Sequence, residues 1–280
     1  MRGKTVLVTG GTSGIGEVAA ISLAEKGARI ILIARDEKRA EATLAKLRIA
    51  NRDSNHVSHL ADLSLMAETK RVGEEITSRE ARIDVLLNNA GALFNRREET
   101  SEGLEKTFAT NHMAYFVLTN VLLDKLRATP GARIVSTASD AHKGNRLDFD
   151  DLQSKKRYMG FSVYGRSKLC NILFTRELAR RIAGSGMTAN SLHPGFVATR
   201  FGAGSGGFMD MVLKIAKPLG AISPEEGAKT IIYLASSPDV ANISGDYFYK
   251  CKVSTPTKEA QNDADAKRLW DVSAKIAGVG

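Results

Sequence analysis

The chain has 280 residues, 43% hydrophobic and 25% charged, with a formal charge of +9, a composition that suits a globular domain and excludes a disordered or fibrous chain. No run reaches the roughly 18 apolar residues that span a bilayer, so no membrane span is expected. The basic residues lie scattered beside acids, as in Arg35-Asp36-Glu37-Lys38-Arg39, with no interleaved aromatics, so no nucleic-acid partner is expected and an anionic small ligand is the economical use of the excess charge.

Met1-Arg2-Gly3-Lys4 runs straight into an apolar strand, which predicts neither signal peptide nor anchor. Lys4 to Thr9 is that strand, and Gly10 to Gly16 follows it. Ile15 to Lys26 has helical spacing and closes at Gly27, a C-cap glycine. Arg29 to Ala34 reads as a second buried strand, and Glu37 to Ile49 as an amphipathic helix with Ala40, Leu44 and Leu47 on one side. His56 to Leu60 predicts a third strand, Leu65 to Arg79 a helix, and Val85 to Asn88 a fourth strand. One long helix is expected over Leu104 to Leu126, then a strand over Arg133 to Thr137. Ser162 to Ile182 is a helix, Met187 to Leu192 a strand, and Pro224 to Ser236 a helix with proline at its first position after Ser223. Near-continuous apolar strands alternating with helices predict a parallel sheet covered on both faces. Residues 1–280 show no linker or repeat, so one domain is expected, with a substrate loop over about 198–222 and its loosest stretch from Phe201 to Gly220. Cys170 and Cys251 have neither a disulfide framework nor metal spacing, and the histidines show no ligand pattern, so no metal is expected and a reduced, cytoplasmic setting is.

Three clusters carry the chemistry. Gly10-Gly11-Thr12-Ser13-Gly14-Ile15-Gly16 joins the first strand to the first helix, where glycines admit a pyrophosphate close to the backbone and the helix N-terminus offers free N–H groups. Its spacing, Gly-x-x-x-Gly-x-Gly, lacks the Gly-Lys-Ser/Thr of a P-loop, which argues against an NTPase. Asn88-Asn89-Ala90-Gly91 ends the fourth strand. Gly10, Asp62, Asn88, Ser139 and Pro194-Gly195 all fall at strand ends, the rim where an open parallel sheet binds ligands. Tyr164 and Lys168 stand four apart on one helix face, where an ammonium would lower the phenol pKa toward a useful range.

Together these residues resemble the short-chain dehydrogenase/reductase family. The match comprises Thr9-Gly-x-x-x-Gly-x-Gly16, Asp62-Leu63, Asn88-Asn-Ala-Gly91, Asn111, Ser139, Tyr164-x-x-x-Lys168 and His193-Pro-Gly195. Arg133-Ile-Val, Ser139-Asp-Ala-His142, Lys168-Leu-x-Asn-Ile-Leu-Phe174 and Arg268-Leu-Trp-Asp-Val-Ser273 resemble its retinol-dehydrogenase-like and carbonyl reductase branch. Membrane members of that branch often carry an apolar N-terminal anchor, which this sequence lacks, so retinoid metabolism is not implied. The resemblance implies a Rossmann-type doubly wound fold and a catalytic set of Asn111, Ser139, Tyr164 and Lys168. Tyr164 would be the general acid in carbonyl reduction and the base in alcohol oxidation. Lys168 would lower its pKa and hold the nicotinamide ribose, Ser139 would bond the substrate oxygen, and Asn111 would position a relaying water. Ser136 and Thr137, rival hydroxyls, are expected to face the sheet. The cofactor would meet Gly10, Thr12, Ser13, Gly14, Ile15, Gly16, Arg35, Asp62, Leu63, Asn89, Ala90, Gly91, Tyr164, Lys168, Pro194, Gly195, Val197 and Thr199.

NADP(H) is expected over NAD(H). The resembled NAD-selecting acid stands at the strand end, here Ala34, whereas Arg35 matches the basic residue that NADP-preferring members turn to the 2′-phosphate. Asp36 satisfies the general count of about 20 residues past the glycines and keeps NAD open, although it reads better as a helix cap. The expected function is an NADP(H)-dependent oxidoreductase acting on a carbonyl or secondary alcohol. Its rivals are an NAD-dependent alcohol dehydrogenase and a non-catalytic dinucleotide-binding relative. The stretch Phe201 to Ala216 combines glycines with Phe, Met and Leu, as a lid over a bulky apolar substrate would. A packed surface helix, or a face touching a membrane or partner subunit in a homodimer or tetramer, uses the same residues.

Overall fold

The structure is a computed structural model that describes residues 1–197 and 222–279. The segment read as a lid, with Thr199, lies outside the described residues.

Among the described residues eight strands form one sheet: β1 (Thr5–Thr9), β2 (Arg29–Ala34), β3 (Val57–Leu60), β4 (Val85–Asn88), β5 (Arg133–Thr137), β6 (Thr188–Leu192), β7 (Tyr247–Tyr249) and β8 (Lys252–Ser254). Their order is β3-β2-β1-β4-β5-β6-β7-β8, all parallel except the β7–β8 pair. The helices are α1 (Gly14–Glu25), α2 (Glu37–Ala50), α3 (Met66–Arg79), α4 (Lys106–Phe108), α5 (Ala114–Arg127), α6 (Gly160–Arg181), α7 (Pro224–Ser236) and α8 (Asp263–Ala277). Successive strand residues point to opposite faces, which divides the interior into two cores. Leu7, Ile31, Leu86 and Ile134 pack beneath α3, α5, α6 and α8. Val6, Val8, Leu32, Leu87 and Val135 pack beneath α1, α2 and α7. The doubly wound, single-domain fold therefore follows the apolar strand runs.

The strand order reverses between β1 and β4. At that switch point the following helices lie on opposite faces of the sheet, and a crevice opens beyond the carboxyl ends of the strands.

Two features depart from the sequence expectation. The helix expected over Leu104 to Leu126 is broken into α4, a π-helical turn (Ala109–Met113) and α5. Glu105 starts it, accepting the Thr107 and Phe108 amides at 2.7 Å each. The carboxyl-terminal region adds β7, β8 and α8, which strand and helix periodicity did not single out. The β7–β8 hairpin turns at Lys250 and Cys251, both at positive φ (48° and 59°), the handedness a two-residue hairpin requires.

Candidate active site

Three strand ends are stitched together by short side chains. Thr9, closing β1, accepts the Asn89 and Ala90 amides on Oγ1 at 2.9 and 3.0 Å. Asn89 donates from Nδ2 to the carbonyls of Thr9 and Gly10 at 3.3 and 3.2 Å. Its Oδ1 accepts the Thr137 hydroxyl of β5 at 3.3 Å. A Cβ on Gly10 would lie 2.8 Å from the Ala90 Cα, and one on Gly16 would overlap the Gly10 carbonyl. The glycines thus let two loops close on each other. Gly10 and Gly14 also have φ of 66° and 56°, the left-handed region that favours glycine.

The start of α1 keeps its amides available. Ser13 stands at its N-cap but its side chain makes no capping hydrogen bond, so the orphan N–H groups and positive dipole end suit an anion. Thr12 and Ile15 fall in the same turn. At the end of β2, Arg35 is exposed and makes no ion pair among the described residues. Asp36 is occupied as the N-cap of α2, accepting the Arg39 amide at 3.0 Å. After β3, Asp62 turns the chain by accepting the Ser64 amide at 2.9 Å, with Leu63 beside it. Gly91 is where a Cβ would come 3.3 Å from the Lys168 Nζ and 3.4 Å from the Asn111 Oδ1. A dinucleotide fits this donor set: a glycine cradle that any Cβ would fill, a helix N-terminus, and a free guanidinium.

Lys168 is 1% exposed and donates to the Thr137 carbonyl at 3.0 Å. Its ammonium lies 5.6 Å from the Tyr164 ring centre and 5.9 Å from that of Tyr115. Burial pulls the lysine down to about 7. Burial pushes the Tyr164 phenol up to about 12, opposed by a hydrogen bond with Ser139. The phenol thus stands above its ordinary value rather than below it, because desolvation of the phenolate outweighs the hydrogen bond with Ser139. Tyr164 therefore stands in its acid form at neutral pH. Ser139 caps the 3-10 turn Asp140–His142, accepting the Ala141 amide at 3.2 Å.

Asn111 sits in the π-helical turn, a distortion common at functional sites. Its Oδ1 accepts the Ala92 amide at 2.7 Å, and Nδ2 donates to the Ala92 carbonyl and the Ser167 hydroxyl, both at 2.9 Å. Both amide hydrogens are committed, so its side chain braces the Gly91 loop against α6.

Pro194 and Gly195 leave β6, with Gly195 at φ 95°. Val197 forms a parallel bridge with Ile222, so both ends of the undescribed stretch meet at this rim. Met159, Phe161 and Phe196 are 56%, 66% and 57% exposed beside Tyr164 and Gly195. Sequence reasoning quoted Thr9 and His193 in the motif match without giving either a role at the site, and it missed Tyr115. It also set Thr137 aside, whereas its hydroxyl reaches Asn89 and its carbonyl takes Lys168. A polar residue closing an otherwise apolar strand was the available signal for Thr9 and Thr137.

Among the described residues no cluster could hold a metal and no helix is long and apolar enough to cross a membrane. The family model of the short chain dehydrogenases matches residues 4–206. Retinol dehydrogenase 14 of Mus musculus is 40% identical over all of this chain and 87% of its own. Retinol dehydrogenase 13 of Homo sapiens is 40% identical over 99% of this chain and 85% of its own. Among solved structures, a protein from Mycobacterium paratuberculosis superposes with a TM-score of 0.79 at 28% identity, covering 99% of this chain and 94% of that one. An active-site complex of Pseudomonas aeruginosa RhlG with NADP gives 0.70 at 28% identity, covering 89% and 94%.

Proposed function

The chain belongs to the short chain dehydrogenase family, and on that premise we propose that it is an NADP(H)-dependent oxidoreductase interconverting a bulky apolar carbonyl compound and its alcohol. Family membership makes it an oxidoreductase that moves a hydride between a nicotinamide dinucleotide and a small molecule. The observation that carries the finer reading is the convergence of Ser139, Tyr164 and Lys168 beside the Asn89–Gly91 loop, at the switch point of the sheet.

The bound dinucleotide supplies or receives the hydride; the protein handles the oxygen and the proton. Ser139 donates a hydrogen bond to the substrate oxygen, stabilising charge as it develops. Tyr164, kept protonated by burial, gives its hydroxyl proton to that oxygen in reduction and recovers it in oxidation. Lys168 offsets the charge left on Tyr164. Asn111 keeps the Gly91 loop close to Lys168. Gly10 to Gly16 and the start of α1 would hold the pyrophosphate, with Asp62, Leu63, Asn89, Ala90, Pro194, Gly195 and Val197 along the remaining length.

Arg35 supports NADP, because it is exposed and unpaired while the nearby acid Asp36 is spent on capping α2. The apolar Met159, Phe161 and Phe196 at the rim, and relatives named for retinol, support a bulky apolar substrate. Arg35→Ala tests the cofactor. Charge-assisted hydrogen bonds contribute about 1.5–3 kcal/mol each, so NADPH affinity should fall at least tenfold while NADH affinity barely moves. Equal losses for both would return the choice to NAD.

A further inference from the structure

His193 closes the path of β6 and stands outside the proposed proton chemistry, yet it is enclosed from every side. It is 8% exposed, and its own amide donates to the Phe248 carbonyl at 3.0 Å, fixing it to β7. Its ring stacks on Tyr249, with centres 4.4 Å apart and planes 20° from parallel. Nδ1 accepts the Gly195 amide at 3.0 Å. Nε2 lies 4.0 Å from the Asp140 Oδ1, and Asp140 directly follows Ser139. Gly195 is held from the other side, since a Cβ there would strike the Ile222 Cδ1 at 2.6 Å.

We propose that His193 is a positioning residue for the nicotinamide end of the cofactor site, fixing the Pro194–Gly195 turn through the Gly195 amide. This rests on the reading that the dinucleotide meets Pro194 and Gly195, which leave β6 beside the β5 end bearing Ser139, where the nicotinamide would have to lie to reach the substrate oxygen.

A nitrogen that accepts an N–H carries no proton, so the neutral ring holds its hydrogen on Nε2, directed toward Asp140. Protonation would place a second donor opposite the Gly195 amide, and the turn would lose its hydrogen bond. The groups facing the ring set where this happens. Burial opposes the imidazolium most strongly, Asp140 favours it, and Lys143 and His142 oppose it from the same turn. On the β7 side Tyr249 covers the ring, with the Lys250 ammonium 5.3 Å from the centre of that tyrosine. The result is a pKa below the usual histidine value. The turn is therefore intact at neutral pH and loosens on acidification.

Two substitutions separate a positioning role from mere packing. Asparagine can accept the amide two residues on through its side-chain oxygen, and it does not titrate; alanine offers no acceptor. Two readouts are needed: protection of the Gly195 amide against hydrogen exchange in the free protein, and NADPH affinity by fluorescence between about pH 8 and 5. In the wild type both should decline together toward the acid end. His193→Asn should keep neutral-pH affinity within about threefold and flatten the decline, whereas His193→Ala should lose Gly195 protection and about tenfold in affinity at neutral pH, the scale of one hydrogen bond, with a flat profile that the wild type approaches toward the acid end. Wild-type behaviour in His193→Ala, or an unchanged acid decline in His193→Asn, overturns the proposal. A wild type that protects Gly195 through His193 yet binds neither dinucleotide overturns the cofactor reading, and with it the role at the nicotinamide.

Discussion

Lys168 and Tyr164 share a helix face but titrate in opposite directions, because one environment disfavours both charged forms. With the phenol up to about 12 and the ammonium down to about 7, the group that changes state across neutral pH is the lysine. Tyr164 supplies the proton throughout that range, but the charge that eases its departure vanishes as Lys168 deprotonates. The pH profile of kcat/KM reports groups of the free enzyme. With NADPH saturating, kcat/KM for the carbonyl compound should accordingly be level below about pH 7 and fall above it by one ionisation. Lys168→Met should give a low and flat profile. A limb near neutrality that persists in that variant would assign it to another group. The pair itself was legible in the sequence from its four-residue spacing; the sign of the tyrosine shift was not, because burial depends on α5 and on the Tyr115 ring packed behind the lysine.

At the scale of elements, the π-helical turn holding Asn111 is secured from outside the sheet by α8. His112 hydrogen-bonds Ser273 at 2.8 Å. Trp270 stacks on Phe174 of α6, with centres 5.8 Å apart, and meets Phe116 of α5 edge-on at 4.9 Å. The Arg181 guanidinium covers the outer face of the indole at 4.4 Å. Removing a buried indole typically costs about 3–5 kcal/mol, and here it would loosen the layer behind Asn111. Trp270→Ala should lower the urea midpoint by a stability loss in that range and reduce turnover of the protein still folded. A loss under about 1 kcal/mol would mean that α8 does not secure this layer. Neither α8 nor the β7–β8 hairpin was read from local pattern. Residues 268–273 were noticed only for their family resemblance, and Lys250-Cys251 carries none of the Asn or Gly signals of a tight turn. By contrast β1, β2 and β4 were legible because strands buried on both faces read as near-continuous apolar runs, whereas the edge strand β3 (Val-Ser-His-Leu) and β6 (Thr-Ala-Asn-Ser-Leu) carry a weaker signal. The π turn between α4 and α5 was invisible, since residues 107–119 are buried almost all round and leave no amphipathic phase from which a shift could be read.

For the whole molecule, the histidines give stability a defined pH dependence. Burial lowers the pKa of His56, His112, His142 and His193, that of His112 to about 3. In His56 and His193 a ring nitrogen accepts a backbone amide, from Ile30 and Gly195 respectively, both at 3.0 Å. Below the unfolded value of about 6.5 the unfolded chain binds protons that the folded chain refuses, so stability falls as pH falls. For His112 the loss continues down to about 3. Each such group contributes up to about 1.4 kcal/mol per pH unit. Urea unfolding at pH 7.5 and pH 5 should show the protein clearly less stable at the lower value, with most carboxylates still ionised; equal stability would mean that these histidines protonate in the folded state.

The central claim is that Tyr164 gives and takes the proton in a dinucleotide-dependent reaction. Steady-state turnover of Tyr164→Phe with NADPH and a hydrophobic ketone tests it most directly, alongside NADPH affinity of the same variant. The phenyl ring preserves packing, and general acid–base groups contribute about a hundred- to ten-thousand-fold. The account predicts a loss of that size with cofactor affinity nearly unchanged. A variant that retains more than about a tenth of the wild-type rate, well outside that range, would contradict it.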